Sequence, residues 1–277
     1  MVNPTHRDTQ SLTSSGIPRP AGPRPEVRTF AKSYRLSQSL PMPATPKQQF
    51  PGRPGDWVLY KDNQLIAFNK PAGLAVVPDK KGSPNLLQIG AAYAHHDLYP
   101  IHRLDRPVSG VVLFGKKASA QAKVSEQFQE RTISKTYLAI VGERPKEDEA
   151  TLVHFIREAK GNSSEVVDSS DKTAKRAELS YRYLGSSDRY HLLEIQLLTG
   201  RKHQIRAQLG AIGSPLRGDE KYGFKRGNTD KTIDLHAFTL AFDHPISGSR
   251  VELQAPLPDE PVWQAFSEII AQLPAGA

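Results

Sequence analysis

His102-Arg103-Leu104-Asp105-Arg106-Pro107-Val108-Ser109-Gly110 places four ionisable side chains within five positions of the chain. The stretch leads directly into Val111-Val112-Leu113-Phe114-Gly115, an apolar run that is typical of a buried strand. A charged loop therefore precedes a strand of the core. Asp105 lies between Arg103 and Arg106, and neighbouring guanidinium groups favour an ionised carboxylate, which is able to act as a nucleophile or a base. A surface turn with a local ion pair fits the same residues.

The composition narrows the classes of protein that the chain can belong to. It has 277 residues, no cysteine and 38% hydrophobic residues, which fits one large domain or two smaller ones. The absence of cysteine excludes disulfides, cysteine-ligated zinc and a thiol nucleophile. No apolar run reaches about 18 residues, so we expect neither a membrane span nor a membrane partner.

The net charge of +8 is concentrated in the first part of the chain. Residues 1–56 contain 8 Lys and Arg against 3 Asp and Glu, and they are rich in Pro, Ser and Thr. This composition predicts a disordered basic tail. It fits an arm that contacts RNA phosphates, a solvated extension or, less well, an organellar transit peptide. We expect a cytoplasmic protein, with organellar targeting by the tail left open.

Residues from Trp57 onward predict a globular region with more strands than helices. Apolar residues recur with helical spacing over 86–94, 118–131 and 261–273, and Asn85 is suited to cap the first of these helices. Alternating apolar and polar residues predict strands over 133–141, 151–157, 177–184 and 190–198. The polar segment 161–175 predicts a mobile loop.

Three short motifs, in this order, resemble the signatures of the RluA-type pseudouridine synthases. They are the stretch from His102 to Gly110, Lys135-Thr136-Tyr137, and the run from Leu198 to Arg206. Lys70-Pro71-Ala72-Gly73 and Gly218-Asp219-Glu220-Lys221-Tyr222-Gly223 extend the resemblance, which covers about residues 57–260. The chain has Pro107-Val108 where this family commonly has Asp-Thr. The resemblance identifies residues 57–277 as a catalytic domain.

The resemblance also implies a fold and a set of catalytic residues. The implied fold is α/β (α+β), with a central mixed, largely antiparallel sheet, flanking helices and a cleft that has Asp105 on its floor. Asp105 is then the nucleophile, Tyr137 the active-site tyrosine that stacks under the base, and Arg201 the partner of Asp105. A guanidinium at a strand-to-helix turn is suited to bidentate pairing with a carboxylate. Attack at C1′ of the ribose and attack at C6 of the uracil both remain open.

The implied reaction is the isomerisation of specific uridines to pseudouridine in structured rRNA or tRNA. The target uridine has to be flipped out of its stack. We expect the protein to act as a monomer without a cofactor or a metal. The residues expected to contact the substrate and its phosphates are Lys70, Pro71, Arg103, Arg106, Lys116, Lys117, Lys135, Lys202, His203, Arg206 and Arg217.

Other readings of the residues compete with this one. A catalytically inactive RNA-binding or ribosome-assembly module would need the basic residues but not Asp105, Tyr137 and Arg201 together. A different carboxylate enzyme, such as a glycosidase, would need a second acid at a fixed distance from Asp105. A metal site at His95-His96-Asp97 is disfavoured because adjacent side chains point apart and no third ligand is evident.

Overall fold

The computed structural model describes residues 50–273, which contain eleven strands, five α-helices and two 3-10 helices, Pro54–Trp57 and Glu220–Tyr222. The helices are α1 Leu86–Ala94, α2 Ala118–Glu130, α3 Gln204–Ala211, α4 Pro261–Gln264 and α5 Ser267–Ala271. The strands are β1 Val58–Lys61, β2 Leu65–Lys70, β3 Tyr99–Pro100, β4 Ser109–Gly115, β5 Ser134–Val141, β6 Glu149–Ala159, β7 Ser163–Val167, β8 Lys175–Ser186, β9 His191–Leu197, β10 Leu235–Asp243 and β11 Arg250–Gln254.

All eleven strands belong to one sheet. The order along it is β1-β2-β4-β10-β5-β9-β8-β6-β7, while β11 pairs with β10 and β3 pairs with β4. Among the described strands, β4 and β10 pair in parallel and the other neighbours pair antiparallel. The predicted mixed, largely antiparallel sheet with flanking helices is therefore confirmed.

The sheet buries apolar side chains on both faces, and β2 shows how. Leu65 and Ala67 pack in a cluster with residues of α2, whereas Ile66 and Phe68 pack in a second cluster with residues of α1. Successive side chains of a strand point to opposite faces, so a strand covered on both faces needs a continuous apolar run. The run that follows Gly110 in β4 is buried in the same way.

The short parallel contact between β4 and β10 fixes the end of the Asp105 loop. Ser109 is in register with His236, and the Ser109 hydroxyl lies 2.8 Å from Nδ1 of that ring. Gly110 has a φ of 112°, and a Cβ there would lie 2.2 Å from the carbonyl oxygen of Ala237. Only glycine allows this close approach without a shift of the backbone.

Two predicted elements differ from the structure. The predicted loop over 161–175 contains β7, because Val166 and Val167 pair with Ile156 and Phe155 of β6. The predicted helix over 261–273 is two short helices, α4 and α5, interrupted at the fully buried Phe266.

Part of the predicted tail, residues 1–49, lies outside the described residues. Residues 50–56 lie within them, and the Phe50 ring stands edge-on to Trp57, with ring centroids 6.4 Å apart. None of the helices between residues 50 and 273 has the length and hydropathy that crossing a membrane requires.

Candidate active site

The loop that carries Asp105 rests on a buried lysine at the end of β2. Nζ of Lys70 donates to the carbonyl oxygens of Leu74 at 2.8 Å, Pro71 at 3.0 Å and Arg106 at 3.2 Å. Its three donors thus match three backbone acceptors. Lys70 is fully buried, so the prediction that it contacts RNA is wrong, and the half-buried Pro71 supplies one of its acceptors.

Burial lowers the pKa of Lys70 to about 7, although the nearby charge of Asp105 opposes this shift and Arg106 adds to it. The ammonium group is thus close enough to Asp105 to be influenced by its charge, while its hydrogen bonds go to the backbone. Lys70 therefore connects the predicted Lys-Pro motif to the Asp105 motif by supporting the backbone of the loop.

Pro107 and Val108 complete a closed turn behind Asp105. The Val108 amide donates to the Asp105 carbonyl at 3.1 Å, and the Pro107 carbonyl accepts from the Ile233 amide at 3.3 Å. The Val108 side chain is buried in the core. The departure from the family's usual residues therefore leaves the turn hydrogen-bonded on both sides.

Arg206, and not Arg201, is the arginine that contacts Asp105. Nη1 of Arg206 lies 3.3 Å from Oδ2 of Asp105, while Nε and Nη2 donate to the two Asp219 oxygens at 2.7 and 2.8 Å. Arg201 instead donates from Nε to the carbonyl oxygen of Arg176 at 3.1 Å. The predicted Arg201–Asp105 pair is therefore wrong.

The packing of α3 explains this difference. Ile205 and Leu209 are buried in the core. Arg206 is buried as well, with only 7% of its side chain exposed. Arg201 precedes the helix in an exposed turn. Burial alone would lower the pKa of Arg206, but hydrogen bonds and charge from Asp219, and then from Asp105, raise it.

A histidine next to Arg206 also faces the carboxylate. Nε2 of His203 lies 3.6 Å from Oδ2 of Asp105, and Nδ1 lies 2.8 Å from the Tyr222 hydroxyl oxygen. The amide of Ser164, in β7, donates to the same hydroxyl oxygen at 2.9 Å. His203 is buried, so it is not part of a surface that contacts RNA phosphates.

Asp219 and Tyr222 were not predicted as site residues, although both belong to the Gly-Asp-x-x-Tyr-Gly motif that the sequence singles out. The motif's spacing gave no reason to place them beside Asp105. Nothing in the sequence indicated that Ser164 belongs to the site, because its segment was predicted to be a loop.

Tyr137 is half-buried on β5 and packs against the main hydrophobic cluster of the sheet. Burial, and then the charge of Asp105, raise the pKa of its phenol well above the ordinary value. The charge of Asp105 therefore influences the phenol of Tyr137, and the role of Tyr137 as the active-site tyrosine remains a prediction.

The remaining predicted basic residues fall into two groups. Arg103, Arg106 and Lys117 are exposed, although Arg106 donates from Nε to the Gly73 carbonyl at 3.1 Å. Lys116 is half-buried, and its Nζ donates to the Asp62 carbonyl at 2.6 Å. Arg103, Arg106 and Lys117 are thus exposed to solvent, whereas Lys116 is half-buried against the backbone.

Lys135 and Lys202 are half-buried and each has a neighbour. Nζ of Lys135 lies 5.5 Å from the centre of the Phe128 ring, and burial, with the charge of Arg131, lowers its pKa to about 8. Nζ of Lys202 lies 3.7 Å from Oε2 of Glu158. Lys135 is paired with Leu240 of β10, and Leu240 and Phe128 pack in the cluster on the α2 side of the sheet, whereas Tyr137 packs in the cluster on the other side.

Arg217 lies on the other side of the sheet from Tyr137. Its guanidinium pairs with Asp234 at 2.5 Å and lies 5.1 Å from the centre of the Tyr190 ring. Tyr190 packs in the cluster of Trp263 and Phe266, on the face opposite Tyr137. The prediction that Arg217 contacts the substrate beside Asp105 is therefore wrong; it lines a separate pocket of about 320 Å³.

Between residues 50 and 273, no group of three or more His, Asp or Glu side chains is arranged to hold a metal ion. At the disfavoured His95-His96-Asp97 site, Nδ1 of His96 lies 2.8 Å from the carbonyl oxygen of Asp97.

Comparisons with known proteins show which proteins the chain is similar to. A family model described as RNA pseudouridylate synthase matches residues 64–211. The chain is 33% identical over 210 residues to the ribosomal large subunit pseudouridine synthase C of Rickettsia bellii, covering 73% of this chain and 69% of the relative. It is 34% identical over 232 residues to the tRNA pseudouridine synthase C of Haemophilus ducreyi, covering 75% and 92%.

The fold is similar to that of the solved human RNA pseudouridylate synthase domain containing 4. The TM-score is 0.62 at 24% identity, and the match covers 78% of this chain and 94% of the other. A similar score of 0.62, at 23% identity, is found for human RNA pseudouridylate synthase domain containing 1.

Proposed function

The chain belongs to the RNA pseudouridylate synthase family, and we propose that Asp105 is the nucleophile with which it isomerises uridines of ribosomal or transfer RNA. The observation that carries this proposal is the environment of Asp105. The carboxylate keeps 22% of its side chain exposed while Arg206 and His203 both approach its Oδ2 atom. An anchored carboxylate with one oxygen left over is suited to attack a bound base or sugar.

The reaction needs no redox step and no group donor. The N1–C1′ bond of uridine breaks and a C5–C1′ bond forms, while the hydrogen on C5 leaves as a proton and N1 gains one. Asp105 would form and then release a covalent bond within this sequence, at either C1′ or C6. Because substrate and product are isomers, atoms and electrons balance without a cofactor.

Three other residues support the nucleophile in this proposal. Arg206 takes the role that the sequence analysis gave to Arg201, because one of its N–H groups reaches Asp105 while two others donate to Asp219. Tyr137 lies within reach of the Asp105 charge and offers a ring for the flipped base. Stacking of a base on an aromatic ring contributes about 1–3 kcal/mol.

RNA is the partner that this function requires, and the names of the relatives indicate ribosomal or transfer RNA as its class. We assign the phosphate contacts to the exposed cations around the loop, namely Arg103, Arg106, Lys117 and Arg201. We further propose that residues 57–277 are the catalytic domain and that the protein acts as a cytoplasmic monomer without binding membranes.

The test is a direct assay on RNA that carries no modification. Purified protein is incubated with transcripts of bacterial large-subunit ribosomal RNA and, separately, of a tRNA pool. The nucleosides are then separated by chromatography, because pseudouridine and uridine have the same mass. We expect pseudouridine at defined positions in one of the two RNA classes.

The matched variant is Asp105→Asn, which keeps the size of the side chain and removes its charge. We expect no detectable pseudouridine from this variant, with RNA binding retained, since phosphate contacts supply most of the affinity. Pseudouridine formed at a comparable rate by Asp105→Asn would overturn the role of Asp105. An inactive wild-type protein that still binds RNA would favour the non-catalytic alternative.

A further inference from the structure

The buried ring of His203 lies beside Asp105, and the proposed function gives it no role of its own. Its Nε2 atom lies 3.6 Å from Oδ2 of Asp105, and its Nδ1 atom lies 2.8 Å from the Tyr222 hydroxyl oxygen. The residue is 9% exposed. A ring that contacts the nucleophile on one side and a fixed hydroxyl on the other is placed to orient Asp105.

The hydrogen bonds around Tyr222 decide which ring nitrogen carries the proton. The Ser164 amide donates to the Tyr222 oxygen at 2.9 Å, so the hydroxyl hydrogen is left to be donated. Nδ1 of His203 is the acceptor that lies within reach of this hydroxyl. Nδ1 must then be unprotonated, which places the ring hydrogen on Nε2.

The opposite tautomer is unfavourable for two reasons. It would leave the Tyr222 hydroxyl hydrogen without this acceptor, and an unmade buried hydrogen bond is costly. It would also turn the lone pair of Nε2 toward the carboxylate of Asp105, where two acceptors repel each other.

Burial of the ring disfavours the doubly protonated form. Burial lowers the pKa of His203 well below its ordinary value; the charge of Asp105 opposes this, while Arg206, Lys202 and Lys221 add to it. The ring is therefore neutral near pH 7 and donates from one nitrogen.

We propose that His203 is a positioning residue that donates from Nε2 to Oδ2 of Asp105, in a tautomer fixed by the hydroxyl of Tyr222 and the amide of Ser164. With Arg206 on the same oxygen, Oδ1 is left free to attack. The separation of 3.6 Å is long for a hydrogen bond, and such contacts commonly shorten when substrate binds. The inference rests on the proposed function, in which Asp105 is the nucleophile.

A purely structural explanation of His203 makes a different prediction. The residue precedes α3 with φ of 52° and ψ of 25°, which is the left-handed region. Asparagine tolerates this conformation better than most residues. If His203 is needed only for this backbone conformation, His203→Asn should function better than His203→Gln.

The positioning role predicts the reverse order. The amide nitrogen of glutamine reaches about as far as Nε2 of histidine, whereas that of asparagine reaches only as far as Nδ1. We expect His203→Gln to keep kcat within about tenfold of wild type and His203→Asn to lose about 100-fold, with KM nearly unchanged in both. Activity of the Asn variant equal to or above that of the Gln variant would overturn the inference.

A second measurement does not depend on activity. In protein labelled with ¹⁵N at histidine, the His203 signals are identified by their absence from His203→Gln. We expect wild-type His203 to carry its hydrogen on Nε2, and Tyr222→Phe to populate the other tautomer and lower kcat. A wild-type ring protonated on Nδ1 would exclude the proposed donor.

The two measurements separate failure of this inference from failure of the proposed function. If Asp105→Asn remains active, the nucleophile is wrong whatever the tautomer of His203. If Asp105→Asn is inactive and the ring is protonated on Nδ1, the nucleophile stands and the positioning role is wrong.

Discussion

Two arginine–aspartate pairs with buried carboxylates lie on opposite sides of the sheet, and only one belongs to the candidate active site. Arg206 pairs with Asp219, and Arg217 pairs with Asp234; both carboxylates are 2% exposed. Each guanidinium lies over a tyrosine ring, Arg206 over Tyr222 at 4.8 Å and Arg217 over Tyr190 at 5.1 Å. Arg206 has in addition an N–H that reaches Asp105. A buried pair is therefore not itself a sign of catalysis.

The two arginines differ in that Arg206 contacts a second carboxylate, that of Asp105. Asp219 already satisfies two donors of Arg206, so the interaction with Asp105 is not needed to bury the guanidinium. Within residues 50–273, Arg217 forms its ion pair with Asp234 and with no second carboxylate. Burial raises the pKa of Asp234, although Arg217 opposes the shift. Arg206 therefore contacts a second carboxylate, that of Asp105, whereas Arg217 is paired with Asp234.

The sharpest test of this comparison replaces each arginine by lysine, which keeps the charge and removes the planar fork. We expect both Arg206→Lys and Arg217→Lys to lower the free energy of unfolding by about 1.5–3 kcal/mol, because each removes a charge-assisted hydrogen bond to a buried carboxylate. Only Arg206→Lys should also reduce turnover, by about 100-fold.

Urea denaturation measures the stability of both variants, and pseudouridine formation at saturating RNA measures kcat. The Arg217 variant is the matched control for the stability loss. An equal reduction of turnover in both would mean that destabilisation, rather than the interaction with Asp105, explains the result. Wild-type turnover in Arg206→Lys would show that the planar guanidinium of Arg206 is not required beside Asp105.

A smaller effect on stability is expected at Lys70, whose Nζ supports the loop that carries Asp105. Its pKa is lowered to about 7 in the folded protein, mainly by burial, against an ordinary value of 10.5. Between these two pH values the unfolded chain binds more protons than the folded one, so the contribution of Lys70 to stability rises with pH. Below pH 7 both states are protonated and this contribution is constant.

The variant Lys70→Met removes this group and should flatten the rise. Urea denaturation at several pH values from 7 to 10 compares the two proteins. An unchanged slope in the Met variant would contradict the lowered pKa of Lys70. We also expect a lower kcat, since methionine cannot donate to the three carbonyl oxygens under the Asp105 loop.

The smallest effect is expected at Arg201, which the sequence placed at Asp105 and the structure places in an exposed turn. Arg201→Ala should change the free energy of unfolding by no more than about 0.5 kcal/mol. RNA affinity should fall, because the variant binds one phosphate fewer. The slope of log affinity against log salt should become shallower by about 0.7–0.9 for that phosphate.

The control for Arg201→Ala is Arg189→Ala, which removes an equal charge from the turn before β9, at the other end of that strand. We expect the Arg189 variant to keep the wild-type salt slope. A reduction of turnover in Arg201→Ala as large as that in Arg206→Lys would restore Arg201 as the partner of Asp105.

The fold could be predicted in large part because its signals are local. The strand after Gly110 was evident from a continuous apolar run, and α1 from its spacing and from Asn85, whose side chain accepts from the Gln88 amide at 3.0 Å. β7 was missed because Ser163 and Ser164 are polar and its valines pack only when β6 is alongside. The pairing partner, not the segment, makes it a strand.

The sequence by itself determined the order of the motifs and the apolar strands that follow them, and it led to the prediction that Asp105 and Tyr137 share one site. Motif spacing and hydrophobic periodicity carry this information within short windows of the chain. Tertiary structure alone decided that Arg206 meets Asp105, that Lys70 is buried beneath the loop and that Arg217 faces the other side. Those outcomes depend on which face of α3 and which face of the sheet pack against other parts of the chain. The packing partners are distant in sequence, so no short stretch of residues predicts them.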